Sequence, residues 1–452
     1  MSRDTSHVRF ARKPRTARET ELLEKTEAFM ACGVRNASFN PDYAMVIREA
    51  HGATITDCSG NRYIDYLLGS GPMFLGHAHP AVVDAAREQS ARGSSYLMVN
   101  EPAILLAEAI VRAVPCAEKV TFHCSGTEAT FFALRLARAY RKRDKILKFE
   151  GGFHGMHDYA LMSNQWTFEP AAFPRAVANS AGIPHAIESE VLIAPFNDIE
   201  TTASLIKKHA DTLGAVIVEP LCRTIPPRNG FLQALRELTR RHDIPLIFDE
   251  VVTGFRLGLG GAQTHYDVTP DLCALGKTIS GGHPLGVVCG RADILDSADP
   301  SRISRGDAVR LSGTYMNNPI SSAVALAVIR ELEQPGVYEG VVEKGTRLMQ
   351  GLEKALHDAG IAARVCGEPT VFQPWFTDQD IRDHRSTLKQ DHKMSLRFVD
   401  LLLDRGIVKA HEKFFVSTAH GDDEIAHTLD AIQDAAHELG KDPCDPARAG
   451  FP

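Results

Sequence analysis

From about residue 80 onward, short apolar runs alternate with longer amphipathic stretches, and this alternation restricts the fold more than any other feature. The amphipathic stretches include HPAVVDAAREQS, ILLAEAIVRAV and FFALRLARAYRK. The apolar runs are KVTFHC, KILKFE, AVIVEP, PLIFDE, LCALGK and GVVCGR. Strands that alternate with helices predict parallel crossover units, with helices covering both faces of one sheet. We therefore expect an α/β fold built on a mainly parallel sheet.

The two ends of the chain follow other patterns. Residues 1–75 combine an arginine-rich arm with ATITDCSGNRYIDYLLG, whose alternation around Ser59-Gly60-Asn61 predicts a hairpin. Residues 76–334 hold the strand and helix alternation, which ends in a long predicted helix, NNPISSAVALAVIRELEQ. Residues 335–452 are predicted to form a smaller α+β domain. The segment 165–189 has no clear period and is interpreted as a mobile or functional loop.

Charge and cysteine content disfavour several classes of function. The chain has 50 basic and 57 acidic residues and a net charge of -7, so it offers no basic face for nucleic acid and no polybasic membrane anchor. Its nine cysteines are scattered and form no Cys-x-x-Cys pair, which argues against a disulfide framework and a structural zinc site. His77 and His79 are interpreted as structural, and no metal is predicted. We expect a cytoplasmic protein that acts on small molecules, without contact with nucleic acid or membrane.

The stretch VTFHCSGTEATFFALRLAR places Ser125, Gly126 and Thr127 between a predicted strand and a predicted helix. Backbone N–H groups at a helix start, a glycine that allows close approach and two hydroxyls would together bind an anion. The alternative is a capping box of Ser125 and Glu128, which is the favoured interpretation of this motif taken alone.

Charged side chains end two of the predicted strands. Asp249 and Glu250 end PLIFDE, at the sheet edge where open α/β sheets bind ligands. A carboxylate buried there needs a cation, for which a pyridinium nitrogen would serve. Lys277 ends LCALGK before a glycine-rich loop, and a lysine whose ammonium form is disfavoured by burial can bond an aldehyde. Taken singly, such a pair of acids more often caps a helix or lies in a loop than binds a ligand. A single lysine more often has its ammonium group in solvent than in a site.

Together, the three motifs supply a phosphate cradle, a carboxylate for a ring nitrogen and an amine for an aldehyde, which are the groups needed to hold pyridoxal 5′-phosphate. The chain resembles the class III aminotransferases of fold type I, and within them the glutamate-1-semialdehyde 2,1-aminomutase-like group. The stretches that carry the resemblance are GSGPMFLGHAHP, SGTEA, KFEGGFHG, VIVEP, DEVVTGFRLGLGGAQTHYDVTPDLCALGK, SGTYMNNP and FFVSTAH. The resemblance implies a large cofactor-binding domain and a smaller C-terminal domain.

The resemblance also implies roles around the cofactor ring. Lys277 would bond the cofactor aldehyde and act as the catalytic base, and Asp249 would contact the pyridine nitrogen. Val251 and Phe153 would cover the two faces of the ring. Glu219 would lie near the cofactor.

For the phosphate, the resemblance implies contacts with Ser125, Gly126 and Thr127. A threonine in the position of Thr314 reaches the phosphate of the neighbouring subunit in this family. A homodimer with shared active sites is therefore expected.

The substrate side departs from the pattern of the aminomutase group. Phe39 stands where that group carries a carboxylate-binding arginine, with Arg35 nearby, and Ser70 replaces an aromatic residue. Arg223 follows VIVEP in a stretch where a glycine is common. Arg35, Ser70 and Arg223 are therefore predicted substrate contacts, and a substrate other than glutamate 1-semialdehyde is expected. Alternatively, Arg223 pairs with Glu219 or points to solvent.

The expected function is transfer of an amino group between an amine or amino acid, carrying an anionic group, and an oxo acid. An aminomutase or an ammonia-lyase on the same scaffold is the alternative. A catalytically inactive binding protein is disfavoured, because it would have no need of Lys277, Asp249, Thr127 and Thr314 together.

Overall fold

The computed structural model describes residues 10–31, 40–164 and 169–441. The predicted substrate contact Arg35, like Phe39, lies outside the described residues. The strands are β1 (Ile47–His51), β2 (Thr54–Asp57), β3 (Arg62–Asp65), β4 (Lys119–His123), β5 (Lys145–Phe149), β6 (Val191–Ala194), β7 (Leu213–Val218), β8 (Leu246–Glu250), β9 (Leu272–Leu275), β10 (Gly286–Gly290), β11 (Arg364–Glu368), β12 (Val371–Trp375), β13 (Ile407–Val408) and β14 (Phe414–Phe415).

The α-helices are α1 (Ala17–Phe29), α2 (Pro80–Arg92), α3 (Glu101–Ala113), α4 (Gly126–Arg141), α5 (His185–Glu188), α6 (Ile199–His209), α7 (Phe231–Arg241), α8 (Gly261–His265), α9 (Ala292–Leu295), α10 (Pro319–Leu332), α11 (Val337–Asp358), α12 (His384–Thr387), α13 (His392–Leu403) and α14 (Asp422–Lys441). Short 3-10 helices span Pro41–Tyr43, Leu68–Ser70, Lys277–Ser280, Asp296–Ala298 and Pro300–Arg305. Within the described ranges, no helix is both long enough and apolar enough to cross a membrane.

A seven-stranded sheet in the order β4-β10-β9-β8-β7-β5-β6 forms the centre of the molecule. The five strands from β9 to β6 are parallel. Strand β10 runs antiparallel to both β9 and β4. The predicted α/β fold with a mainly parallel sheet is confirmed, and the apolar runs predicted from the sequence correspond to all of these strands except β6.

The central strands are apolar throughout because helices cover both faces of the sheet. In β7, Ala215 and Ile217 face the buried cluster that contains Ala133 of α4. The alternate residue, Val216, packs into the cluster that contains Leu235 of α7. Since successive side chains of a strand point to opposite faces, each strand contributes to two cores.

The two ends of the chain meet in a second sheet. Strands β2 and β3 form the predicted antiparallel hairpin. Strand β1 pairs with β2, and β13, from the C-terminal part, runs parallel to β3. Strands β11, β12 and β14 form a separate antiparallel sheet. Residues of β12 and of the connection from β13 to β14 lie beside the carboxyl ends of the central strands, where they enclose a cavity.

Candidate active site

A cavity of about 590 Å³ lies at the carboxyl ends of β7, β8 and β9. Its lining includes most of the site residues predicted from the sequence, which are Ser70, Ser125, Gly126, Thr127, Phe153, Glu219, Arg223, Asp249, Val251 and Lys277. Thr314 is exposed in a turn and is not among the described residues that line the cavity of its own chain. The cavity therefore brings together motifs that lie far apart in the sequence.

Lys277 is the first residue of the 3-10 helix that follows β9. Gly276 before it is extended, whereas Lys277 itself has a left-handed backbone with φ of 45°. A non-glycine residue in this region is strained, and such strain concentrates at functional sites. Burial lowers the pKa of Lys277, against the opposing effect of the Asp249 carboxylate. The neutral amine is therefore more accessible than in a solvated lysine.

Asp249 is buried at the end of β8 and is held from two sides. Its Oδ2 lies 2.8 Å from His154 Nδ1, and its Oδ1 accepts the backbone N–H of Val251 at 3.1 Å. These contacts orient the carboxylate in the cavity wall. A carboxylate placed in this way stabilises a positive charge in the cavity.

The neighbouring acid, Glu250, is buried on the other side of the strand and does not line the cavity. Its side chain accepts hydrogen bonds from Ala262 N at 2.5 Å and from Gln263 Nε2 and Thr253 Oγ1 at 3.0 Å. Burial raises the pKa of Glu250 to about 7. Of the two acids that end β8, only Asp249 is therefore available to a ligand of the cavity.

The start of α4 carries the helix cap that was the favoured interpretation of the Ser-Gly-Thr motif taken alone. Ser125 Oγ caps the helix by accepting the N–H of Glu128 at 3.2 Å, while Glu128 Oε2 accepts the N–H of Cys124 at 2.7 Å. The Ser125 hydroxyl still has its O–H as a donor, so the cap does not prevent anion binding. A Cβ on Gly126 would lie 2.9 Å from Val251 Cγ1, and only a glycine allows this approach without a shift.

The segment after β5 packs against the first turn of α4. Thr127 Oγ1 accepts the N–H of Met156 at 3.2 Å. Gly155 has φ of 99°, and a Cβ there would lie 2.7 Å from Thr127 Cα. The N–H of Phe153 donates to Glu219 Oε2 at 3.0 Å, which places the Phe153 side chain at the cavity wall.

Arg223 lines the cavity with a left-handed backbone, φ of 60°, and forms an ion pair with Glu412. Its guanidinium carbon lies 5.8 Å from the centre of the Phe153 ring. Burial disfavours its charge, but Glu412 and Glu219 outweigh this effect and raise the pKa of Arg223. The ion-pair partner of Arg223 is therefore Glu412 rather than Glu219. Ser70, with φ of 68°, also lines the cavity.

The opposite wall of the cavity comes from the C-terminal part of the chain, and no sequence pattern had pointed to it. Its polar side chains include Gln373, Trp375, His384, Gln390, His392, His411, Glu412 and Lys413. Two of their atoms, Trp375 Nε1 and Gln390 Oε1, are buried without a hydrogen-bond partner among the described residues. The one local signal is the polar triplet His411-Glu412-Lys413 immediately before the apolar start of FFVSTAH.

Comparison with known proteins gives a consistent picture of the fold. Residues 37–435 match the family model described as aminotransferase class III. The chain is 41% identical to a glutamate-1-semialdehyde 2,1-aminomutase of Methanothermobacter thermautotrophicus, with 86% of this chain and 91% of that protein covered.

Two solved structures share the whole architecture. An omega-transaminase from Sphaerobacter thermophilus superposes with a TM-score of 0.89 at 33% identity, covering 95% of this chain and 99% of that one. A glutamate-1-semialdehyde aminomutase from Pseudomonas aeruginosa superposes with a TM-score of 0.83 at 26% identity, covering 93% of this chain and 94% of that one.

Proposed function

This chain belongs to the class III aminotransferase family, whose members depend on pyridoxal 5′-phosphate, and we propose that it shifts an amino group within a small substrate, as an aminomutase. The observation that carries the proposal is the convergence of Lys277, Asp249 and the start of α4 on one cavity. The name of the 41% identical relative supports an amino shift as the form of the reaction.

The cavity residues fit the cofactor. The start of α4 offers backbone N–H groups and the hydroxyls of Ser125 and Thr127 to a phosphate. Gly126 keeps this surface clear of a side chain, and Asp249 suits a protonated ring nitrogen. When bound, the cofactor captures an amino group and accepts the electrons released when a neighbouring bond breaks.

The protein side chains supply the remaining chemistry. Lys277 is the residue that would hold the cofactor through its aldehyde, and as a free amine it would remove and return the proton at the substrate carbon that bears nitrogen. The lowered pKa of Lys277, caused by burial, favours the base form. His154 holds Asp249 in place, and Glu219 positions Phe153 through its backbone N–H.

Transamination between two molecules is the second candidate. The 33% identical structural neighbour is named an omega-transaminase, which supports this reaction. The substrate side of the cavity supports it as well, because Ser70 and Arg223 depart from the aminomutase pattern. These departures predict that glutamate 1-semialdehyde is not the best substrate.

We further propose that two copies form a homodimer with shared active sites. Leu97, Met98 and Val99 are 79%, 76% and 73% exposed in one copy, an apolar surface that a second copy would cover. This stretch is tied to the turn of Thr314, since Asn100 Nδ2 donates to the carbonyl of Asn317 at 2.8 Å. In a dimer formed through this surface, Thr314 of one copy would lie close to the phosphate site of the other copy.

The test is product analysis on the purified enzyme with its cofactor. Glutamate 1-semialdehyde, β-amino acids and ω-amines are each incubated with and without pyruvate or 2-oxoglutarate, and products are identified by mass spectrometry. An isomer formed without an oxo acid supports the aminomutase, and product that requires the oxo acid supports the transaminase. Ammonia release without an oxo acid would indicate a lyase instead. If no amine alters the cofactor absorbance, the proposal fails.

A further inference from the structure

Lys413 is a second lysine in the cavity wall, besides Lys277. It lies immediately before β14, is only 6% exposed and lines the cavity. Within the described ranges, its ammonium group has no hydrogen bond and no ion pair. The side chain is therefore mostly buried while its ammonium group opens into the cavity, where a ligand can reach it.

The other buried lysines show what a purely structural role looks like. Lys148 Nζ donates to the backbone carbonyls of Gly152 and Ala160 at 2.9 Å and of Met162 at 2.6 Å. Lys409 Nζ donates to the carbonyls of Ala410 and His411 at 2.6 and 3.1 Å. Both ammonium groups are satisfied by the protein itself. Lys413 differs from them because its ammonium group faces the cavity and donates to no backbone carbonyl.

The carboxylates near Lys413 have other partners. Glu412 pairs with Arg223, and Glu219 accepts the N–H of Phe153. The positive charge of Lys413 is therefore not neutralised by an ion pair. Burial lowers the pKa of Lys413 to about 8, with a further contribution from Arg223, which leaves the ammonium form dominant near neutral pH.

We propose that Lys413 binds a carboxylate of the substrate, beside Arg223 and in the same cavity as Lys277. The assignment rests on the proposed function and adds the substrate class, which is an amino compound that carries a carboxylate. A carboxylate there would pair the ammonium group and would gain a hydrogen-bond donor if it also reached the buried Trp375 Nε1. Arg223, already engaged by Glu412, is a secondary contact rather than the main anchor.

The test compares Lys413→Gln and Lys413→Arg with the parent enzyme. Lys354→Gln, at an exposed lysine of α11, is the matched control. For the best acidic substrate and its uncharged amide, Lys413→Gln should raise KM for the acid by about 10- to 100-fold and leave KM for the amide nearly unchanged. Lys413→Arg should keep most of the preference for the acid.

A binding measurement keeps the inference separate from the proposed function. Succinate is titrated into the enzyme with bound cofactor by calorimetry, and Lys413→Gln should lose this binding while Lys354→Gln keeps it. Such a result supports the carboxylate site even if no amine is turned over. Equal succinate affinity in Lys413→Gln, or no succinate binding to the parent enzyme, would overturn it. Weaker cofactor retention with unchanged succinate binding would also overturn it, because Lys413 would then serve the phosphate. Circular dichroism and the Lys413→Arg variant identify a folding defect.

Discussion

Asp249 and Lys277 reach the cavity by different local means. Asp249 is the penultimate residue of a regular strand and is aimed by its contacts with His154 and the N–H of Val251. Lys277 lies beyond the end of its strand, where a left-handed backbone turns the chain into a 3-10 helix. The first side chain is held by hydrogen bonds and the second by backbone conformation, so the two should respond differently to substitution.

The first prediction concerns Lys277. Borohydride reduction of the enzyme with bound cofactor should attach a pyridoxyl group to Lys277, because burial lowers its pKa and leaves it the most suitable amine beside Asp249. Peptide mass spectrometry locates the label. A label on Lys413, the other lysine of the cavity wall, would contradict the assignment.

The second prediction concerns Asp249. Asp249→Asn removes the negative charge that stabilises a protonated ring nitrogen, so the first half-reaction should slow by about 100-fold or more. Stopped-flow absorbance with the best amine measures this rate. Glu250→Gln is the control, because Glu250 does not line the cavity. The Glu250→Gln variant should change the stability of the protein but not the rate of the first half-reaction. Equal rate losses in both variants would refute the role of Asp249.

Site residues on the central sheet could be predicted, whereas those on the opposite wall could not. Asp249 lies at the end of a recognisable apolar strand, and Ser125 and Lys277 lie just beyond the ends of two others. The strand ends of an open α/β sheet share one crevice. Glu412 and Lys413 line the same cavity because the C-terminal sheet docks over that crevice. This docking depends on packing between distant segments, which no local pattern encodes.

At the scale of the elements, the close packing at the junction of β4 and α4 gives the third prediction. A Cβ at Gly126 would lie 2.9 and 3.1 Å from the two methyl carbons of Val251. Gly126→Ala should therefore displace Val251 and weaken cofactor retention, at a cost of about 1 to 3 kcal/mol for the overpacked contact.

Two further variants complete this test, which is measured by cofactor release during dialysis. Adding Val251→Ala to Gly126→Ala restores space and should recover part of the retention. Gly340→Ala is the control, because a Cβ at that position of α11 meets nothing within 4 Å. Unchanged retention in Gly126→Ala would show that the close approach is not needed.

The connection between β13 and β14 gives a prediction about pH. Lys409 is buried there, and burial lowers its pKa to about 7. The unfolded chain then binds more protons than the folded chain between about pH 7 and pH 10.4, so this group makes the free energy of unfolding rise with pH in that window. Lys409→Met removes the contribution. Urea unfolding at about pH 7.5 and pH 9.5 measures the free energy of unfolding. Between these two pH values, the free energy of unfolding should increase less in this variant than in the parent, by up to about 1.4 kcal/mol per pH unit. Lys354→Met serves as the exposed control, and an unchanged slope in Lys409→Met would contradict the lowered pKa.

The direction of β10 and the existence of β6 were the features of the sheet that could not be predicted from the sequence. Strand β10 is an apolar run like the parallel strands of the sheet, yet it is antiparallel to both of its neighbours, β9 and β4. An apolar run records burial on both faces and contains no information on direction. Strand β6 closely follows the segment 165–189, which has no clear period, so no pattern separated it from a loop.

At the scale of the whole molecule, the surface beside Thr314 leads to a prediction about assembly. Leu97 and Met98 form part of an exposed apolar stretch, so Met98→Asp should convert a dimer into monomers by placing a charge in the interface. Light scattering measures the molar mass of the Met98→Asp variant. Its cofactor content should be lower than that of the parent enzyme. Val342→Asp, at an exposed apolar residue of α11, is the control and should leave the mass unchanged. A parent enzyme that is active as a monomer would refute the shared site.

Mixed dimers test whether Thr314 acts across the interface. Lys277→Ala removes the catalytic amine of its own chain, and Thr314→Ala removes a phosphate contact that we expect to serve the partner. In a dimer of one chain of each kind, one site then carries both defects and the other carries neither. Co-expressed chains with different affinity tags, purified through both tags, should therefore be more active than either parent variant and should hold cofactor firmly in half of their sites. If Thr314 instead serves its own chain, every site of the mixed dimer contains one defect. Activity no higher than the mean of the two parents would then refute the exchange of Thr314 between subunits.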